Sequence, residues 1–301
     1  MTQIVTWDRS MTSRLQERFS EQMQAICPWL DSEVLTWTAC GRPVEALRLG
    51  RGSRKVLLTA GHHANETITS LFLWRFLEDY CRALLKDGQL NGFSCCALFR
   101  RTTLYLVPLV NPDGADLVAG EATEEEIRRA RKLWAARPEI PFPQGWKANL
   151  QGVDLNLNYP ARWEQARASK PSAPGARDFP GWQPLDQPET AALAEYARRI
   201  CPDAMAAWHT QGGEIYAADP DGSLRAENLS RLMAHASGYA LAEPPAESSN
   251  AGFRDWFLQE FTGAAFTIEA GRGENPLPLE ALPQLYRENL PLFVWLLAGC
   301  S

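Results

Sequence analysis

The sequence predicts a layered α/β domain, and three observations carry that prediction. Short apolar runs alternate with segments of helical spacing along the chain. Glycine- and proline-based turn signals separate them, as in N-P-D-G at 111–114. The length of 301 residues suits one α/β core of enzyme size, so residues 1–301 are expected to form a single domain, with 1–40 a helical extension packed on it.

Taken in order, residues 10–26 place Met11, Leu15, Phe19, Met23 and Ile26 at helical spacing. Residues 44–49 and 55–60 read as strands around the turn G-R-G-S, and 65–85 as a helix carrying Leu71, Leu73, Phe76, Leu77 and Tyr80. Residues 104–110 read as a buried strand ending in the N-P-D-G turn. Residues 123–136 form a charged helix, with Thr123 and Glu126 spaced as a capping box. A proline-rich loop at 138–144 follows. Residues 162–188 carry five prolines and little periodicity, a length that marks a functional loop. Helices are expected at 188–200, 224–237 and 278–297, and strands at 204–209, 214–217 and 264–269.

Composition narrows the function. A net charge of −6 and a pI near 5.4 argue against a nucleic-acid phosphate backbone as partner, which needs a basic face. No apolar run is long enough to span a bilayer, and the N-terminus lacks the basic-then-apolar pattern of a signal peptide. The seven cysteines are odd in number and include no C-x-x-C, so they read as reduced thiols in a cytoplasmic protein.

Two of only four histidines fall in G-H-H-A-N-E at 61–66. His63 and Glu66 are three residues apart, a spacing that puts both side chains on one face of a helical turn and suits two ligands of one zinc ion. His62 has the wrong spacing to pair with Glu66 in this way. By itself a His-x-x-Glu is more often a metal-free surface pair. A third ligand would come from His209, at the end of an apolar segment, or His235, inside a helical segment where a structural or surface role is the plainer reading. In T-I-E-A-G, Glu269 ends an apolar strand. A carboxylate there needs a partner or a task, and general base catalysis is such a task.

The order G-H-H-A-N-E, N-P-D-G, G-V-D-L-N, strand-end histidine and T-I-E resembles the zinc carboxypeptidases of the carboxypeptidase A type, from Gly61 to Gly271. The resemblance implies a three-layer α/β/α sandwich with a mixed, mostly parallel sheet of about eight strands. It also implies one zinc per chain on His63, Glu66 and His209, and Glu269 as general acid/base for a zinc-activated water. The pieces W-K-A-N-L-Q-G-V-D-L-N, R-D-F-P-G-W, H-T-Q-G-G-E-I-Y, G-F-R-D-W-F and N-P-L-P further resemble the γ-D-glutamyl-L-diamino-acid endopeptidase I group. That group cleaves after D-glutamate in peptidoglycan stem peptides, so such peptides or muropeptides are the implied partners. It usually carries a cell-wall-binding repeat module in front. The chain has no room for one, which fits a cytoplasmic enzyme acting on recycled muropeptides.

Departures from the family pattern set further expectations. Carboxypeptidases clamp the substrate's C-terminal carboxylate with Asn-Arg. Here Asn156 is present as a substrate-binding candidate but Leu157 replaces the arginine, so the bidentate clamp is lost. Arg254 falls in the segment that lines the side-chain pocket and would hold the distal carboxylate of meso-diaminopimelate; the plainer reading is a salt bridge to Asp255. Lys147 would replace the arginine that stabilises the oxyanion in carboxypeptidases; a simply exposed lysine is the equal alternative. Asp154 is expected to accept a hydrogen bond from a ligand histidine. Tyr216 and Glu247 lie near other substrate contacts without an assigned role. The rival functions are a zinc amidase or deacylase on a small acylated amino acid, and a peptide-binding relative without catalysis.

Overall fold

The computed structural model describes residues 3–220, 225–245 and 250–299; Glu247 and Cys300 lie outside them. Among the described residues ten strands form: β1 (Leu30–Trp37), β2 (Pro43–Gly50), β3 (Arg54–Ala60), β4 (Gln89–Leu90), β5 (Phe93–Ser94), β6 (Thr102–Val107), β7 (Ala204–His209), β8 (Glu214–Ala218), β9 (Ala240–Leu241) and β10 (Ala264–Glu269). Eight of them build one mixed sheet in the order β1-β2-β6-β3-β7-β10-β8-β9, and β4 with β5 makes a separate ribbon. The centre, β6-β3-β7-β10, is parallel. The helices are α1 (Ser13–Ile26), α2 (Ile68–Leu84), α3 (Cys95–Arg101), α4 (Pro112–Ala119), α5 (Glu124–Trp134), α6 (Trp163–Ser169), α7 (Pro188–Ile200), α8 (Arg225–Ser237), α9 (Phe253–Glu260) and α10 (Leu282–Ala298).

Strand alternation sorts the core into two faces. Val56, Leu58, Ala206, Trp208, Phe266 and Ile268 pack with α1, α2, α8 and α10. Leu57, Met205, Ala207 and Ala265 pack on the other side with Leu193, Ala194 and Ala197 of α7 and Phe253, Trp256 and Phe257 of α9. The result is the three-layer α/β/α sandwich with a mixed eight-stranded sheet that the resemblance implies.

Several elements depart from the sequence expectations for local reasons. N-P-D-G does not merely turn the chain. Asn111 caps α4 by accepting from Gly114 N–H at 2.9 Å, and Pro112 occupies the first helical position, where its missing N–H is harmless. The preceding strand therefore ends at Val107. The proline-rich stretch after Arg162 contains α6. Residues 30–37, expected within a helical extension, form the edge strand β1. Only one of its residues is buried, so it shows no apolar run. Gly61, at φ +67°, makes the turn out of β3; a Cβ there would lie 2.8 Å from both Leu109 and Ser70. No helix of the described residues is long and apolar enough to cross a membrane.

Candidate active site

The site opens at the carboxyl ends of β3, β7 and β10, where parallel strands of such sheets present ligand-binding residues. Beyond Gly61 the chain enters a 3-10 turn, Ala64–Glu66, which aims His63 and Glu66 at one point. The N-P-D-G residue Asn111 braces this turn. Its amide donates to the carbonyls of His62 at 3.2 Å and Ala148 at 3.1 Å, and Ala64 N–H donates to Lys147 carbonyl at 3.0 Å. His209 ends β7 and is the register partner of Glu269 at the end of β10. Two residues at one register position of adjacent parallel strands face the same way. The imidazole and the carboxylate therefore share the α7–α9 side of the sheet.

Three donors converge. His63 Nδ1 lies 2.9 Å from Glu66 Oε1, and His209 Nδ1 lies 3.1 Å from Glu66 Oε2 and 3.2 Å from His63 Nδ1. All three ligand atoms fall within 4.8 Å of one another and all three residues are buried. His63 Nε2 sits 3.3 Å from Asp154 Oδ1, the contact expected of Asp154, which directs Nδ1 towards the shared point. His235 is exposed on α8 and takes no part in the cluster.

The electrostatics fit a cation. Burial lowers the His63 pKa, but the Glu66 and Asp154 carboxylates outweigh it and raise it to about 9. Burial pushes Glu66 up, yet His63 and His209 hold it well below the usual carboxylate range. A proton on His63 thus balances a buried carboxylate. Two imidazole nitrogens and one carboxylate oxygen are a donor set that zinc accepts, with a position left open. A metal binding there displaces that proton. Burial first, and then the Glu66 charge, raise Glu269 to about 8.

The profile of the zinc carboxypeptidase family matches residues 17–291. The chain belongs to that family. It is 38% identical to the γ-D-glutamyl-L-diamino acid endopeptidase 1 of Lysinibacillus sphaericus over 91% of this chain and 69% of the relative. Its fold is similar to that of thrombin-activatable fibrinolysis inhibitor, with a TM-score of 0.75, 16% identity and coverage of 99% of this chain and 76% of the other. It is also similar to the murein-tripeptide amidase of Escherichia coli O157, with a TM-score of 0.57, 22% identity and coverage of 90% and 92%. The protein is a hydrolase of the metallocarboxypeptidase type.

The remaining residues of this zinc carboxypeptidase relative fall around the cluster. Lys147 Nζ lies 3.7 Å from Glu66 Oε1 with its side chain 21% exposed, so it borders both the site and solvent. Asn156 accepts from Phe253 N–H through Oδ1 at 3.1 Å, and its amide donors make no hydrogen bond among the described residues. Leu157 is buried. Arg254 and Glu269 line one cavity of about 50 Å3, together with Asn156, Asp255 and Tyr216. Tyr216 donates to Glu214 at 2.7 Å. His62 is fully buried, 3.2 Å from the Tyr159 hydroxyl, with its ring tilted against His209 and Phe253.

Two contributors were not singled out as site residues in the sequence. Asn275 donates to Glu66 Oε1 at 3.3 Å and to the Thr210 carbonyl at 2.9 Å, and Thr210 N–H donates to Glu66 Oε2 at 3.2 Å. Both oxygens of Glu66 are thereby held. The N-P-L-P stretch was the available signal, because Asn275 begins it. Asp255, beside Arg254 in the cavity, appeared only as that residue's salt-bridge partner.

Proposed function

We propose that the protein is a zinc-dependent peptidase that hydrolyses the γ-D-glutamyl–diamino-acid bond of peptidoglycan-derived stem peptides. The observation that carries the reading is the pairing of Glu269 with His209 at one register position, beside His63 and Glu66. A proton-transferring carboxylate and a metal-ligating set then flank one opening. The relative from L. sphaericus supplies the bond type.

His63, Glu66 and His209 would hold the metal. When bound, zinc supplies a Lewis acid that polarises the scissile carbonyl and acidifies water. Glu269 takes the proton of the attacking water and passes it to the departing amine. The positive charge of a bound cation works against the burial that raises Glu269, so the carboxylate form becomes available near neutral pH. Lys147 sets a cation where charge develops on the carbonyl oxygen. Asn156 offers its free amide donors to the residue beyond the bond. Leu157 leaves the usual terminal-carboxylate clamp without its guanidinium, which makes ordinary C-terminal L-amino acids poor substrates. Arg254 supplies the cation in the side-chain pocket instead.

Purified enzyme incubated with L-Ala-γ-D-Glu-meso-diaminopimelate should release diaminopimelate, seen by mass, and a chelator should stop it. Glu269→Gln should keep about one zinc per chain and lose at least ~10²-fold in turnover, the scale of a positioned general base. Release of an acyl group from an acylated amino acid, with the tripeptide untouched, would favour an amidase. Zinc binding without turnover of either would favour a peptide-binding role.

A further inference from the structure

Arg254 and Asp255, which line the cavity together with Glu269, are largely buried and only loosely paired with each other. Arg254 and Asp255 open α9, whose entry is fixed by the Phe253 N–H bond to Asn156. Their side chains are 10% and 12% exposed, and they meet only at 3.5 Å, the outer limit of a hydrogen bond. Arg254 Nε has no hydrogen-bond partner among the described residues. The next charges, Glu243 towards Arg254 and Arg162 towards Asp255, form no ion pair with them there. A tight pair would raise the arginine's pKa and lower the aspartate's. Here burial dominates both, lowering Arg254 and raising Asp255. Both groups bear a desolvation cost; the Gly252 backbone also holds Asp255, while Arg254 Nε stays without a partner among the described residues.

A single anion would satisfy only one of them. A group carrying ammonium and carboxylate on one carbon would satisfy both, its carboxylate against Arg254 and its ammonium against Asp255. The cavity of about 50 Å3 has room for roughly four waters, enough for such a head group. Resting on the function proposed above, we propose that Arg254 and Asp255 form a zwitterion clamp for the distal amino-acid centre of the residue beyond the scissile bond. Asp255 is then a specificity residue in its own right. Meso-diaminopimelate ends in such a centre; lysine carries only the ammonium.

Three tripeptides test this, differing only beyond the bond: meso-diaminopimelate (both charges), 2-aminopimelate (carboxylate only) and lysine (ammonium only). Wild-type kcat/KM should favour the first over each of the others by at least ~10-fold, the lower end for a hydrogen bond to a charged group. Asp255→Asn should erase the advantage over aminopimelate while keeping that over lysine, and Arg254→Met should do the reverse. Equal wild-type rates on meso-diaminopimelate and aminopimelate would overturn the clamp without any variant, even if Asp255→Asn did not fold. Cleavage of none of the three would instead remove the parent function, and the clamp with it.

Discussion

Two largely enclosed arginines of this molecule have opposite surroundings. Arg42, 14% exposed, reaches Asp116 at 2.5 Å, Asp113 at 3.1 Å and Glu126 through two parallel bonds at 2.7 and 3.0 Å. Its carboxylate partners are themselves held: Thr38 donates to Asp113, and Ser13 donates to Asp116 through both backbone and hydroxyl. Burial lowers the Arg42 pKa, but Glu126 and Asp116 outweigh it, and Glu126 in turn falls to about 2. Arg254 is as deeply buried and has one stretched contact. The first arginine ties α1, α4 and α5 to the turn after β1. The second makes one loose contact and has an unpartnered Nε among the described residues. Hydrogen-bond saturation, rather than burial, distinguishes the structural cation from the proposed recognition cation here.

The same substitution should therefore do different things at the two positions. Arg42→Met strands three carboxylates with little access to water, and should cost ~3–5 kcal/mol of stability. Arg254→Met should shift stability by less than ~1 kcal/mol, because it frees a single carboxylate that was held only by a 3.5 Å contact and that can take a proton. Urea unfolding of both variants reads the contrast directly. A large loss at Arg254, or none at Arg42, would break it.

The sequence carried one side of this contrast better than the other. Local patterns, strand ends and an i,i+3 spacing, made His63, Glu66, His209 and Glu269 candidates, the resemblance to zinc carboxypeptidases chose His209 over His235, and the structure gathers all four. The sheet centre was legible for the same reason, since β3, β7 and β10 are short apolar runs. β1 was hidden because an edge strand buries almost nothing, and α9 because eight residues give little more than two turns of periodicity. Arg42 gave no signal at all: its three acids lie 71 to 84 residues away. Asn275 had a motif, N-P-L-P, but no local sign of its partner. Its contact with Glu66 spans 209 residues and exists only once the loop after β10 closes over the site.

Asn275 extends the comparison to a neutral brace on a charged ligand. It donates to Glu66 and is tied back by the Thr210 hydroxyl at 2.7 Å. Asn275→Ala should leave the protein folded and weaken zinc ~10–100-fold, the usual effect of losing a partner behind a metal ligand. Competition with a chromophoric chelator measures this without reference to turnover. Unchanged affinity would leave Asn275 as a loop fastener only.

A third buried charge shows what an arginine cannot do. Glu189, in the first turn of α7, is fully buried; Asn149 donates to Oε1 at 3.3 Å and Oε2 has no partner among the described residues. Burial raises its pKa to about 7 from 4.5. A carboxyl can escape the cost by taking a proton, whereas a guanidinium stays charged and must find a partner. The sign follows from which state binds the proton. Between about 4.5 and about 7 the folded protein holds a proton that the unfolded chain has lost, so stability from this group is complete below that window and declines as pH rises through it. The decline is on the order of 3 kcal/mol. Glu189→Gln keeps the shape and the bond from Asn149 but cannot ionise. Its urea midpoint should match wild type near pH 4.5 and exceed it at pH 8. If the two proteins kept the same midpoint difference at both pH values, Glu189 would be ionised in the fold, and a cation within reach would have to account for it.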